Sequence, residues 1–214
     1  WTAGAEGRRH PEFDIGVTAL GALAFLAAGV RPGNGNELSD SVCLTKALDH
    51  LIATQDFDGC LGGRENDHFV DGHAFGTLAL VEAFAMTGDV KYLRPAQKAL
   101  DFVKLTHNPY FGWRYGVKPG DNDTSVTGAM FAAQRAARLV NIAGGEAGFA
   151  SAFTLDDEIE EGVKAWIDKM TDPDDGSVCY PLRGAKGRRP AEAVACPFTP
   201  PANSTGAPHR PHAR

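Results

Sequence analysis

The densest group of side chains able to bind a metal lies between residues 67 and 73. Asp67 and His68 are followed by Asp71 and His73 within this short stretch. Carboxylate and imidazole groups together suit zinc or iron, so a loop that gathered these four side chains would form a metal site. Polar loops between helices commonly show the same spacing. We therefore expect no bound metal and no cofactor in this chain.

A second acidic group consists of Asp121 and Asp123, which stand two positions apart. A negatively charged neighbour makes ionisation less favourable, so one carboxyl of a close pair can keep its proton and act as an acid. Asp123 also directly precedes an apolar segment. A carboxylate in that place caps a helix by accepting hydrogen bonds from the free N–H groups of its first turn. The residues alone leave both interpretations open.

Composition and missing motifs exclude several classes of function. The net charge of −6 argues against nucleic-acid binding, which needs clustered Lys and Arg. The longest apolar stretch, residues 19–30, falls short of the ~20 residues that cross a bilayer. No dinucleotide, P-loop or serine-hydrolase motif is present. The four cysteines are far apart, which predicts free and mostly buried thiols.

The chain contains an internal repeat, which determines the helices that carry these candidate residues. The segments that begin at Val17, Gly76 and Val126 align without gaps, and all three are rich in Ala, Leu and Gly and nearly free of charge. Such segments form helices that are buried on most sides. We expect these inner helices over 14–29, 71–87 and 123–141. Leu20, Phe25, Leu80, Phe84 and Met130 should form the core between the layers.

Helices of a second, one-sided type alternate with the inner helices. Apolar residues recur every three or four positions over 39–55, 90–106 and 156–170, with charged residues on the opposite face. Ser39, Asp89 and Thr154 are the expected caps at their starts. Pro95 is expected near the first turn of the second of these outer helices, or at a kink. Each outer helix runs into a Gly-rich turn.

The alternation resembles the prenyltransferase and squalene-oxidase repeat, the unit of the terpenoid cyclase and protein prenyltransferase α/α-toroids. The resemblance covers residues 14–180. It is most specific in the two stretches 72–84 and 111–128, which look much like the bacterial branch of the family found in planctomycete genomes. It implies an all-α partial toroid of three inner–outer hairpins over residues 1–181. Full toroids have five to seven hairpins, so we expect a fragment or an open arc, from which a signal peptide or anchor is missing.

The resemblance assigns catalysis in cyclases to an Asp-x-Asp-Asp motif at the start of an inner helix. The matching stretch here places Asn122 at the position of the working acid, or, shifted by one, retains Asp121 and Asp123 but ends in Thr124. The catalytic motif is therefore degenerate. A terpenoid cyclase-like enzyme that uses Asp121 and Asp123 is the alternative to a binding or scaffold domain without assigned activity.

The resemblance also suggests which residues line a cavity. Asp14, His73 and Asp123 occupy equivalent places at the starts of the inner helices. In prenyltransferases a His in that place binds zinc with an Asp-x-Cys pair at the start of another inner helix, and no Asp-x-Cys opens an inner helix here. Trp113 and Tyr115 match the aromatic residues that line the cavity or tie neighbouring repeats together. We expect a lipid, an isoprenoid or a peptide in the cavity, and a flexible tail over 182–214, which is rich in Pro, Arg and His.

Overall fold

A computed structural model of the chain describes residues 4–5, 8–33, 39–64, 67–147 and 151–179. Six α-helices make up most of these residues: α1 (Asp14–Ala27), α2 (Asp40–Ala53), α3 (Phe69–Thr87), α4 (Val90–Thr106), α5 (Thr124–Ala147) and α6 (Asp157–Met170). The two-residue strands β1 (Gly4–Ala5) and β2 (Arg8–Arg9) pair antiparallel before α1. The predicted all-α class is confirmed.

The helices form three successive hairpins. The inner helices α1, α3 and α5 lie in a row, in which α3 packs against both of the others. The outer helices α2, α4 and α6 pack against α1, α3 and α5 respectively. The helix bounds agree with the predicted ones within two residues, except that α5 continues to Ala147. The small inner-helix residues and the one-sided outer helices therefore produce the two layers that their patterns predict.

Close helix contact explains two of the glycines. A Cβ added at Gly72 of α3 would lie 3.2 Å from the backbone nitrogen of Gly16 in α1. A Cβ at Gly59, whose φ is +100°, would lie 2.1 Å from the carbonyl oxygen of Lys98 in α4. Only glycine therefore fits at position 59, where the first Gly-rich turn meets α4, whereas a larger residue at position 72 would have to push α1 and α3 apart by a few tenths of an ångström.

Side-chain caps fix most of the outer helices. Ser39 and Asp89 accept hydrogen bonds from backbone N–H groups in the first turns of α2 and α4, as predicted. The prediction of Thr154 as the cap of α6 is wrong, because Asp156 accepts the N–H of Glu158 in that place. Pro95 lies inside α4, one turn later than expected. Its carbonyl accepts a 2.9 Å hydrogen bond from the side chain of Gln55. This bond connects the first Gly-rich turn, which follows α2, to α4.

Four of the five predicted core residues contribute to the core. Leu80 and Phe84 are buried in one cluster, against which Phe25 is half-buried, and Met130 is buried in a second cluster. The prediction for Leu20 is wrong, because its side chain is 50% exposed. Leu20 lies on the side of α1 where no other inner helix packs among the described residues. The predicted tail over 182–214 lies outside the described residues.

One helix, α3, has the length and apolar composition of a membrane span. Most of that window, 61%, is buried inside the protein, as in the central helix of any helical core. Packing between α1 and α5 therefore accounts for its apolar character, and the described residues contain no clear transmembrane segment.

Candidate functional site

The two most unusual carboxylates lie at the N-terminal ends of α3 and α5. Asp71 belongs to the first turn of α3, and Asp123 directly precedes α5. Asp123 is completely buried. Its Oδ1 accepts the N–H groups of Ser125 at 2.8 Å and Val126 at 3.0 Å. Asp123 therefore caps α5, as the sequence indicated, while its buried Oδ2 has no hydrogen-bond partner among the described residues.

The environment of Asp71 favours the protonated carboxyl. The pKa of Asp71 is raised from 3.8 to about 6, mainly by burial; His68 opposes this rise, and the negative charge of Asp123 adds to it. Burial, with smaller contributions from both carboxylates, raises the pKa of Tyr115 to about 12. The rings of His68 and Tyr115 are in contact, tilted by 58° with centroids 4.4 Å apart. At this end of the inner helices, the acidic end, Asp71 thus keeps its proton up to about pH 6.

Asp121 is held by an ion pair with an arginine. Its Oδ2 forms an ion pair with Nε of Arg114 at 3.4 Å, which is too poorly aligned for a hydrogen bond. Asn122 is buried, and its Oδ1 accepts the N–H of Gly112 at 3.0 Å and a hydrogen bond from the Asn108 amide at 3.2 Å. Asn122, which stands at the position of the expected acid, therefore holds together the second Gly-rich turn, which lies between α4 and α5.

His73 is enclosed between the layers and does not line a cavity. Its Nδ1 accepts the N–H of Leu61 at 3.1 Å, so Nε2 carries the proton and donates to the carbonyl of Ala99 at 3.2 Å. Burial lowers the pKa of His73 from 6.5 to about 4. His73 is therefore neutral at pH 7 in the folded protein.

The remaining predicted cavity residues are spread over different places. Trp113 is completely buried, and its Nε1 donates to the carbonyl of Val103 at 2.9 Å. It therefore packs the second Gly-rich turn against α4 and is not accessible to a ligand. Tyr115 is half-buried at the acidic end. Asp14 lines a separate pocket of about 580 Å³ with Glu12 and His50. Asp14, His73 and Asp123 thus share a helix position without sharing a pocket.

An apolar cleft of about 620 Å³ lies at the other end of the inner helices, between the C-terminal halves of α3 and α5. One carboxylate, Glu82, stands on its wall. The other walls are mainly apolar and are formed by Val81, Phe84, Ala85, Met86, Ala136, Leu139, Val140 and Ala143. Asp71 and Met86 are separated by roughly 22 Å along α3, at 1.5 Å per residue. The cleft and the acidic end are therefore distinct.

The sequence indicated Asp71 only as a possible metal ligand. The repeat alignment that pairs Asp14, His73 and Asp123 also pairs Glu12, Asp71 and Asp121, two positions earlier. This second set of equivalent acidic residues could have indicated Asp71 as a candidate acid. The cleft had no such signal, because its walls have the same residue types as the core.

Comparisons with known proteins return no match. No protein-family model, no curated protein and no solved structure matches this chain. Within the described ranges, no group of three or more His, Cys, Asp or Glu side chains could hold a metal ion. Cys43, Cys60 and Cys179 are free thiols, as predicted, and burial raises the pKa of Cys60 to about 12. Cys60 therefore remains protonated and unreactive at neutral pH.

Proposed function

We propose that this chain is a binding module of the α/α-toroid type that holds an apolar chain, such as an isoprenoid or another lipid, in the cleft between α3 and α5. The cleft itself carries the proposal. Its volume of about 620 Å³ lies within the ~300–1,000 Å³ of ordinary ligand pockets, and its walls are mainly apolar. An unbranched or prenyl chain is the ligand class that such walls favour, at about 0.8 kcal/mol for each buried CH₂ group.

The contacts of the acidic residues support binding without catalysis. Asp121 pairs with Arg114, Asp123 caps α5 and Asn122 bonds the second turn. These three side chains thus have structural partners. A chain in the cleft would also lie roughly 20 Å from them, given the rise of the helix. The degenerate cyclase-like motif is accordingly interpreted as part of the scaffold.

A second candidate function is acid catalysis at the acidic end. The observation in its favour is that Asp71 keeps a proton to about pH 6 beside a buried Asp123 oxygen without a hydrogen-bond partner among the described residues. In this function Asp71 would donate its proton to an alkene of a polyprenyl substrate, and Asp123 would balance the positive charge that forms. Incubation with squalene and product analysis by gas chromatography tests it. Product formed by the wild type and lost in Asp71→Asn would support it.

Binding in the cleft is tested with a farnesyl group that carries a dansyl fluorophore. Ala85 is exposed and lines the cleft, so Ala85→Arg places a charge there at little cost to folding. Ala165, exposed on α6, provides the matched control. We expect Ala85→Arg to weaken binding at least about tenfold, or 1.4 kcal/mol, and Ala165→Arg to change it less than about twofold. Equal affinities in both variants would refute the proposal.

A further inference from the structure

The two oxygens of the Asp123 carboxylate have different surroundings. The side chain is completely buried. Its Oδ1 accepts hydrogen bonds from the hydroxyl of Ser125 at 2.7 Å, from the N–H of Ser125 at 2.8 Å and from the N–H of Val126 at 3.0 Å. Its Oδ2 has no hydrogen-bond partner among the described residues. A charged donor stabilises a buried carboxylate oxygen most strongly, so Oδ2 is suited to accept a hydrogen bond from a cation.

Neither carboxylate of the acidic end forms an ion pair with a lysine or arginine of the described residues. The charged groups that act on Asp71 are His68 and Asp123. Arg114, which belongs to the second Gly-rich turn, forms its ion pair with Asp121 at 3.4 Å instead. Above about pH 6 Asp71 loses its proton, and its negative charge then repels that of Asp123 in a partly buried place. A bound cation would relieve this repulsion.

Aromatic rings surround the same carboxylates. Tyr115 is half-buried, and the pKa of its hydroxyl is raised by burial and, after it, by the charges of Asp71 and Asp123, so the hydroxyl lies near both. The ring of His68 contacts Tyr115 and meets the ring of Phe13 edge-on, with centroids 6.3 Å apart. Both His68 and Phe13 are exposed. Aromatic faces attract organic cations, so these rings favour an ammonium group over an inorganic ion.

We propose that the acidic end binds the ammonium group of a small primary alkylamine, held by Asp71, Asp123 and the hydroxyl of Tyr115. A primary ammonium has three N–H donors, which match these three acceptors. Its alkyl chain would lie against the exposed rings of His68 and Phe13. A metal ion suits the site less well, because no group of three or more His, Cys, Asp or Glu side chains in the described part of the chain could hold one. The site is separate from the apolar cleft and does not depend on a ligand there.

Dansylcadaverine, a fluorescent primary alkylamine, measures this binding in a titration at about pH 8, where Asp71 is ionised. Its N-acetyl derivative carries the same dansyl group without the ammonium and is the matched probe. We expect the wild type to bind the amine at least about tenfold more tightly than the acetylated probe, since hydrogen bonds to charged groups are strong. Any attraction of the dansyl group to the apolar cleft is common to both probes and cancels in this affinity ratio.

Three variants locate the ammonium group. Asp71→Asn should fold, since the amide has the shape of the carboxyl, and should lower the affinity ratio to about threefold or less, because only the Asp123 charge remains. Asp168→Asn removes an exposed carboxylate on α6, and Ala85→Arg changes the cleft; both should retain the wild-type ratio.

Absent or equal binding of the two probes by the wild type would overturn the proposal. An Asp71→Asn variant with an unchanged affinity ratio would overturn it as well. The same holds if Asp168→Asn abolishes the ratio, which would show attraction to the overall negative charge, or if Ala85→Arg abolishes it, which would place the ammonium in the cleft.

Discussion

Replacement of Asp71 by Asn is expected to stabilise the protein at neutral pH. Burial raises the pKa of Asp71 from 3.8 to about 6, so folding makes its charged form less favourable, and the uncharged amide avoids that cost. A shift of this size corresponds to about 3 kcal/mol. Because the side chain is only half-buried, solvent screening reduces the effect, and we expect about 2 kcal/mol.

The sign of the pH dependence follows from proton binding. Between about pH 4 and pH 6 the folded protein keeps a proton on Asp71 that the unfolded chain has released. The wild type therefore loses stability through this group as the pH rises through that window. Below about pH 4 the carboxyl is protonated in both states, so Asp71→Asn and the wild type should be equally stable.

Urea unfolding, followed by tryptophan fluorescence from about pH 4 to pH 8, measures this difference. Asp168→Asn, on the exposed side of α6, is the control and should differ from the wild type by less than about 0.5 kcal/mol throughout. An Asp71→Asn variant that is less stable than the wild type at pH 7.5 would refute the reasoning. A difference that does not change with pH would also refute it.

Substitutions at three further positions test the packing of the core and the roles of the buried residues Asp123 and His73. Phe84→Ala should cost about 3–5 kcal/mol in a urea melt, because the ring is buried and meets Phe153 edge-on, and a loss below about 1 kcal/mol would contradict this packing. Asp123→Asn should change stability by less than about 0.5 kcal/mol, since Asn caps helices nearly as well, whereas Asp123→Ala should cost about 1–2 kcal/mol. His73 stays neutral when folded, so the wild type should lose about 3 kcal/mol through it as the pH falls from 6.5 to 4. His73→Gln should lack that acid-dependent loss, and an identical pH profile would show that His73 is not buried.

The helices were predictable because their patterns are local. The Ala-, Leu- and Gly-rich segments differ plainly from the one-sided segments, and Asp123 precedes its helix with a side chain suited to capping. The predicted end of the third inner helix at residue 141 was too early, because α5 continues through Gly144 and Gly145 to Ala147. Leu20 was mispredicted because the residues at its equivalent positions in α3 and α5, Ala79 and Ala129, are buried. Sequence periodicity does not show which helix has another inner helix on only one side.

The site was less predictable because it depends on side-chain direction across helices. His73 and Asp71 are two positions apart on α3, so they point about 200° apart around the helix axis. His73 therefore faces the outer helix α4, whereas Asp71 lies near enough to Asp123 to feel its charge. The repeat alignment selected His73, although the raised pKa belongs to Asp71. The apolar cleft depends on how far the C-terminal halves of α3 and α5 separate, which no local pattern encodes.

Photolabelling tests the central claim, that the cleft binds an apolar chain, most directly. A farnesyl group that carries a benzophenone is irradiated with the protein, and mass spectrometry locates the labelled peptides. The account predicts labels on residues 81–86 of α3 and 136–143 of α5, which competing unlabelled farnesol removes. Labels at the acidic end around Asp71 and Tyr115, or labels that farnesol does not displace, would contradict it.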